Sequence, residues 1–210
     1  MNKNLPAIAL ATSLAVPASA GLVNGGFESF PVWGYDFYSG TIPEDGWATT
    51  APDNLIEVWG NGFFGVPAYE GNTFAELNAN YASTLYQHVS NVPANGSVNW
   101  HFAHRGRDGV DTMNLTITDL GADQSWGGGD DTVLFTQNFS AGNTDWVFNF
   151  GSVTTLGNTT RFAFEAVNAV GGNTQGNLID FCDFDINAVP APGAIALVGL
   201  AAFFMSRRRL

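Results

Sequence analysis

Val98-Asn99-Trp100-His101-Phe102 and, a short interval later, Met113-Asn114-Leu115-Thr116-Ile117 each alternate a large apolar residue with a polar one. A period of two sends the apolar residues to one side of an extended chain, so both stretches read as strands with a single buried face. The same alternation returns at Trp146, Phe148 and Phe150, at Phe162, Phe164 and Ala166, and at Cys182, Phe184 and Ile186. Between these runs stand turn-forming clusters: Pro93-Ala94-Asn95-Gly96, Gly127-Gly128-Gly129-Asp130, Ala141-Gly142-Asn143 and Gly171-Gly172-Asn173. Glycine and asparagine supply the tight or left-handed geometry that a turn demands. No stretch between them keeps a helical period, so the expected fold class is all-β, an antiparallel β-sandwich of the jelly-roll kind.

Outside this body the two ends have a different composition. Residues 1–20 hold Lys3, an apolar run from Leu5 to Val16 and then Ala18-Ser19-Ala20. Charged, greasy and small-residue parts in that order mark a signal peptide, with Ala18 and Ala20 defining cleavage after residue 20. Residues 189–210 are tripartite as well: Pro190-Ala191-Pro192, an apolar segment at 193–205 and a basic end of Arg207, Arg208 and Arg209. As a transmembrane helix the segment is short against the roughly 20 residues a bilayer needs, and the arginines would stay on the cytoplasmic side. The tail resembles the PEP-CTERM sorting signal, with Ala191 where that signal has glutamate. The resemblance implies an exosortase-type membrane protease as partner, an inner-membrane intermediate held by the C-terminal helix, and a final place at the cell surface or outside a Gram-negative bacterium.

Residues 21–188 then form one module. Its only basic residues are Arg105, Arg107 and Arg161 against nineteen acids, a net charge of −16. Such a field repels nucleic acid and favours cations and neutral ligands. The single cysteine, Cys182, can form no internal disulfide and sits in an apolar alternation, as a buried thiol would.

The opening run Asn24-Gly25-Gly26-Phe27-Glu28 and the closing run Asn177-Leu178-Ile179-Asp180-Phe181-Cys182-Asp183-Phe184 resemble the first and last strands of galactose-binding-like jelly rolls, a family rich in carbohydrate-binding modules. In that family the opening glutamate and closing aspartate help to hold a structural calcium ion. Carried over, the resemblance implies a calcium site at Glu28 and Asp180 with Glu70 and Asn72 from the loop between them. The other reading is that both acids accept backbone hydrogen bonds at strand ends.

Sugars are held by aromatic rings against their apolar face and by carboxylates and amides on their hydroxyls. The segment from Ile56 to Asn78 is dense in such groups, with Trp59 and Tyr69 suited to stacking and Glu57 and Asn78 to hydroxyl contacts. The competing reading makes these rings core filler. A second cluster, His101 to Asp111, gathers Arg105, Arg107 and Asp111, which either grip sugar oxygens or pair with neighbouring carboxylates. His101 and His104 differ by three positions and should point to opposite faces of a strand. Glu57, Glu70 and Glu76 are available as carboxylates, but no nucleophile elbow, paired-histidine metal helix or phosphate loop is present, so the module is not expected to be an enzyme. The expectation is an exported surface or matrix protein binding extracellular polysaccharide, with a ligand-free coat or biofilm protein as the alternative and a polysaccharide-degrading enzyme the least favoured.

Overall fold

A computed structural model describes residues 21–40 and 46–187. The signal peptide with Ala18 and Ala20, the proline pair Pro190 and Pro192, the apolar segment 193–205 and Arg207, Arg208 and Arg209 all lie outside the described residues.

Eleven strands run in the order β1 (Tyr35–Ser39), β2 (Ala48–Thr49), β3 (Leu55–Gly60), β4 (Thr73–Glu76), β5 (Thr84–Val92), β6 (Ser97–Arg105), β7 (Asp111–Asp119), β8 (Thr132–Ala141), β9 (Val147–Thr154), β10 (Asn158–Asn168) and β11 (Leu178–Asn187). They form two sheets, β1-β3-β4-β11-β6-β9 and β2-β5-β10-β7-β8, with every pairing antiparallel. The chain is therefore an all-β, two-sheet structure, and the one 3-10 turn described is Phe63–Gly65.

The core lies between the sheets and is supplied by the alternating residues. Val98, Trp100, Phe102, Cys182 and Phe184 of the first sheet meet Met113, Leu115, Ile117, Phe162 and Phe164 of the second. Cys182 is a buried free thiol. The alternation at Trp146, Phe148 and Phe150 has a different outcome, since Phe148 is 44% and Phe150 74% exposed. The register explains it: β9 pairs Phe148 with Ala103 and Phe150 with His101, so these rings share the outward face of β6. Across from inward Trp100 stands Gly151, which leaves room for the indole.

The opening and closing runs meet. Cys182 donates its N–H to the Gly25 carbonyl at 3.0 Å, and a side chain at Gly25 would collide with the Cys182 carbonyl. In β11 the register shifts between Asp180 and Asp183, and Phe181 takes the left-handed conformation (φ 51°). A bulge inserts one residue and re-aims its neighbours, here turning Cys182 into the core while Asp180 stays on the outer side.

Candidate ligand-binding surface

The first sheet buries the residues that the sequence marks for sugar contact. Trp59 is fully buried, packed against Phe63, Phe64 and Phe74, and it donates Nε1–H to Glu57 Oε1 at 2.8 Å. Arg107 lies 4.7 Å over the Trp59 ring and donates to both carboxylate oxygens of Glu76, at 3.0 and 3.1 Å. Glu57 and Glu76 stand opposite each other across β3 and β4. Burial, and then the charge of Glu57, push the Glu76 carboxyl up to about 7, and burial raises Glu57 also. Buried Asp111 accepts the backbone N–H groups of Arg107, Val170 and Asn177. Buried Asn78 donates to the Gly172 carbonyl and accepts from Asn177. Arg105 donates to the Asn143 carbonyl at 2.6 Å.

These contacts correct the sugar-facing role expected for Glu57, Trp59, Asn78, Arg107 and Asp111. They form a structural network, because the β3–β4 connection covers the outer side of its own strands. Arg105 likewise spends a guanidinium donor on the backbone. Tyr69 remains 39% exposed, stacked near-parallel on Phe148 at 6.2 Å. His104 points inward and bonds Asn177 at 3.0 Å, with burial lowering it to about 4, while His101 lies outward against Phe181. The two histidines thus occupy opposite faces, as their spacing requires.

The residues expected to hold calcium converge on segment 69–73. Glu28 Oε1 accepts the N–H groups of Asn72 and Thr73 and the Thr73 hydroxyl, and Asp180 Oδ2 accepts those of Tyr69 and Glu70. Burial pushes the Asp180 carboxyl up to about 7, with neighbouring Glu70 adding to the rise. Gly26 leaves space for Glu70, whose Oε1 lies 2.9 Å from where a Cβ would stand. Among the described residues no three His, Cys, Asp or Glu side chains stand at metal-holding spacing. The donors are hard oxygens of the kind calcium takes, and main-chain carbonyls would have to complete six to eight of them.

The second sheet presents an open outer face. Its register sets Ala163 between Tyr86 and Thr116, Arg161 between His88 and Thr118, and Glu165 beside Asn114. Asn114 donates to Asn138 at 2.8 Å, and Thr116 contacts Thr136 at 3.0 Å, so β7 and β8 carry a ladder of amides and hydroxyls. The Arg161 guanidinium is held 4.3 Å from the Tyr86 ring and 4.2 Å from that of Trp126, which is 53% exposed. Arg161 is only 6% exposed, yet its Nε is buried without an acceptor. Burial weakens its hold on the proton, and Tyr86, Asp131 and Glu165 oppose that.

The buried Nε–H is out of reach of a ligand, so what this face offers outward is the half-exposed Trp126 ring and the amide and hydroxyl ladder of β7 and β8. No motif in the sequence marks this face. Its signal was the polar half of the β10 alternation: with Phe162 and Phe164 inward, Arg161 and Glu165 had to face outward.

No protein-family model matches the chain, and no curated protein matches it. Among solved structures, the chain is similar to the tandem of two CBM22 domains at the N-terminus of Paenibacillus barcinonensis Xyn10C, with a TM-score of 0.50 and 15% identity. That match covers 86% of this chain and 49% of the tandem. It is also similar to the single CBM22-1 xylan-binding domain of that protein, with TM-score 0.48, 13% identity and coverage of 76% and 99%. A third is TmCBM61, solved with beta-1,4-galactotriose, with TM-score 0.44, 16% identity and coverage of 80% and 97%. At these identities the likeness is one of fold.

Proposed function

We propose that this chain is a non-catalytic carbohydrate-binding module that lays a neutral polysaccharide across the outer face of its second sheet. The observation that carries the proposal is the half-exposed Trp126 ring, backed by the Arg161 guanidinium at 4.2 Å and joined on the same sheet by an amide and hydroxyl ladder. Exposed Trp126 offers a ring to the apolar face of a pyranose, and Asn114, Asn138 and Glu165 offer hydroxyl partners. Support from fold comes from the similar solved structures, one named as xylan-binding and one solved with a galactose oligomer.

A glycan array followed by titration calorimetry tests the reading. Arg161 backs the Trp126 ring through a cation–π contact of about 0.5–2 kcal/mol, so Arg161→Met should weaken binding roughly 2- to 30-fold. Trp126→Ala should act in the same direction, whereas Trp59→Ala should lower stability instead. Silence across diverse neutral glycans would leave the alternative, an anionic coat protein without a specific ligand.

The termini add where this binding takes place. The reading includes export, a membrane-held intermediate and exosortase sorting, supported by the residue patterns at 1–20 and 189–210. An epitope at the C-terminus that stayed joined to the module after cell fractionation would reject processing.

The structural calcium belongs to the same proposal. The ligands would be Glu28, Glu70, Asn72 and Asp180: Glu28 and Asp180 are tied to segment 69–73 through its backbone N–H groups, no basic side chain pairs with these acids among the described residues, and the side chains would have to close in on a cation from their present spacing. Ligand binding to the native state raises stability by RT ln(1 + [L]/Kd), so calcium should raise Tm and a chelator should reverse the rise. Identical midpoints would reject the site.

A further inference from the structure

We propose that the cleft between residues 31–34 and 60–64 is a second glycan site, so that one module holds two polysaccharide chains. The inference rests on the glycan reading of the second sheet but uses different residues. The cleft has a volume of about 700 Å³ and lies where the segment before β1 passes the end of β3. Ligand pockets commonly span roughly 300–1,000 Å³, so the space suits a sugar or two rather than a protein surface.

Its walls are aromatic. Trp33 is wholly exposed on one side, and Phe64, 74% exposed, stands on the other. Trp47, Trp59 and Trp100 are buried and Trp126 is half-exposed, so Trp33 is the most exposed indole among the described residues. Phe64 is held there at a cost, for its φ of 47° is a conformation that a bulky residue rarely adopts. Backbone strain of this kind persists only where the surroundings enforce it. They do so here: Phe63 is wedged against Trp59 at 4.9 Å and Tyr35 at 5.4 Å, which fixes the turn that carries Phe64.

The floor and rim are polar. Gly60 donates to the Gly34 carbonyl at 2.7 Å, and a Cβ at Gly60 would sit 2.8 Å from the Val32 carbonyl, so bare backbone closes the bottom. Asn61 uses its Oδ1 on the Ala68 N–H, which orients the amide and leaves Nδ2 as a donor at the rim. The side-chain amide of Asn72, also in the lining, makes no hydrogen bond among the described residues. Rings for a pyranose face and spare amides for its hydroxyls are the chemistry of carbohydrate recognition, and no cationic side chain lines the cleft to select an acid.

The cleft belongs to the first sheet and the Arg161 face to the second, so the two sites engage separate chains and the module acts as a cross-link.

The test is calorimetry with the oligosaccharide that scores best on the array, on wild type, Trp33→Ala, Phe64→Gly and Trp126→Ala. Two sites per module, falling to one in Trp33→Ala and to one in Trp126→Ala, is the expected result, and only the wild type should precipitate the parent polymer. Trp33 is exposed, so its loss leaves the fold intact. One site that Trp126→Ala removes and Trp33→Ala leaves unchanged would overturn the cleft and spare the sheet face. One site lost only in Trp33→Ala would overturn the cross-link and the sheet face together, and no binding at all would overturn both sites.

Discussion

Glu57 and Glu76 face each other on neighbouring strands with Arg107 as their shared cation, and both are buried. Two acids around one base leave a surplus negative charge in a region shielded from water, so the native state favours a proton there. Glu76, raised from 4.5 to about 7, therefore contributes stability that is full below its unfolded pKa and lost as pH rises through the folded one. Asp180, raised from 3.8 to about 7, acts in the same sense. His104, lowered from 6.5 to about 4, has the opposite sign: its contribution is present above the unfolded pKa and fades as pH falls through the folded one. Raising the pH from about 6 to 8 should therefore lower Tm, at roughly 2–4 °C for each kcal/mol in a chain of this size. In Glu76→Gln the fall should be smaller, since glutamine cannot ionise, although the variant starts from a lower Tm through its weakened contact with Arg107. Parallel pH profiles for wild type and variant would show that Glu76 carries none of the dependence.

At the scale of elements, β9 stands apart. It closes one edge of the first sheet, carries neither charge nor proline from Val147 to Thr154, and exposes Phe148 and Phe150. Edge strands in soluble proteins are usually blunted by lysine, proline or a bulge, because an unpaired edge templates association with another chain. Phe150→Lys should slow aggregation on warming, read by light scattering, with stability changed by no more than about 0.5 kcal/mol because the site is at the surface. Equal aggregation rates would mean that β9 is not the growing edge. The same strand shows where period-two reading stops. For β6, β7, β10 and β11 alternation assigned both strand and buried face, because each has one side toward the core and one toward water. In β9 the apolar side is outward, and nothing in its own residues says so. In β3 and β4 both sides are covered, the second by the chain between them, so Trp59 and Glu57 on the outer side read as a ligand site, whereas Trp59 packs in a second small core and Glu57 accepts its indole N–H. The meeting of Gly25 with Cys182 was legible from short motifs at the two chain ends; the Arg161 face was not, because its residues come from four strands far apart in sequence.

For the molecule as a whole, stability has to come from the core between two sheets and the smaller cluster around Trp59, without a disulfide and against a net charge of −16 on residues 21–188. Arg107 is engaged with Glu76 and Arg105 with a carbonyl, so few acids have a compensating cation. Like charges crowded on one compact surface repel more than on an unfolded chain, and salt screens them over a Debye length that shrinks from about 30 Å at 0.01 M to about 8 Å at 0.15 M. Sodium chloride over that range should therefore raise Tm, and the rise should be gradual and indifferent to which monovalent cation is used. Calcium bound at Glu28, Glu70 and Asp180 would behave differently, saturating at low concentration and persisting in 0.15 M salt, because a coordinated ion is not part of the screening atmosphere. The two dependences, measured on one protein by differential scanning calorimetry, separate diffuse repulsion from a discrete site. A Tm that falls with added sodium chloride would mean that attractive pairs outweigh the surplus of nineteen carboxylates over three arginines, and would overturn the reading of diffuse repulsion.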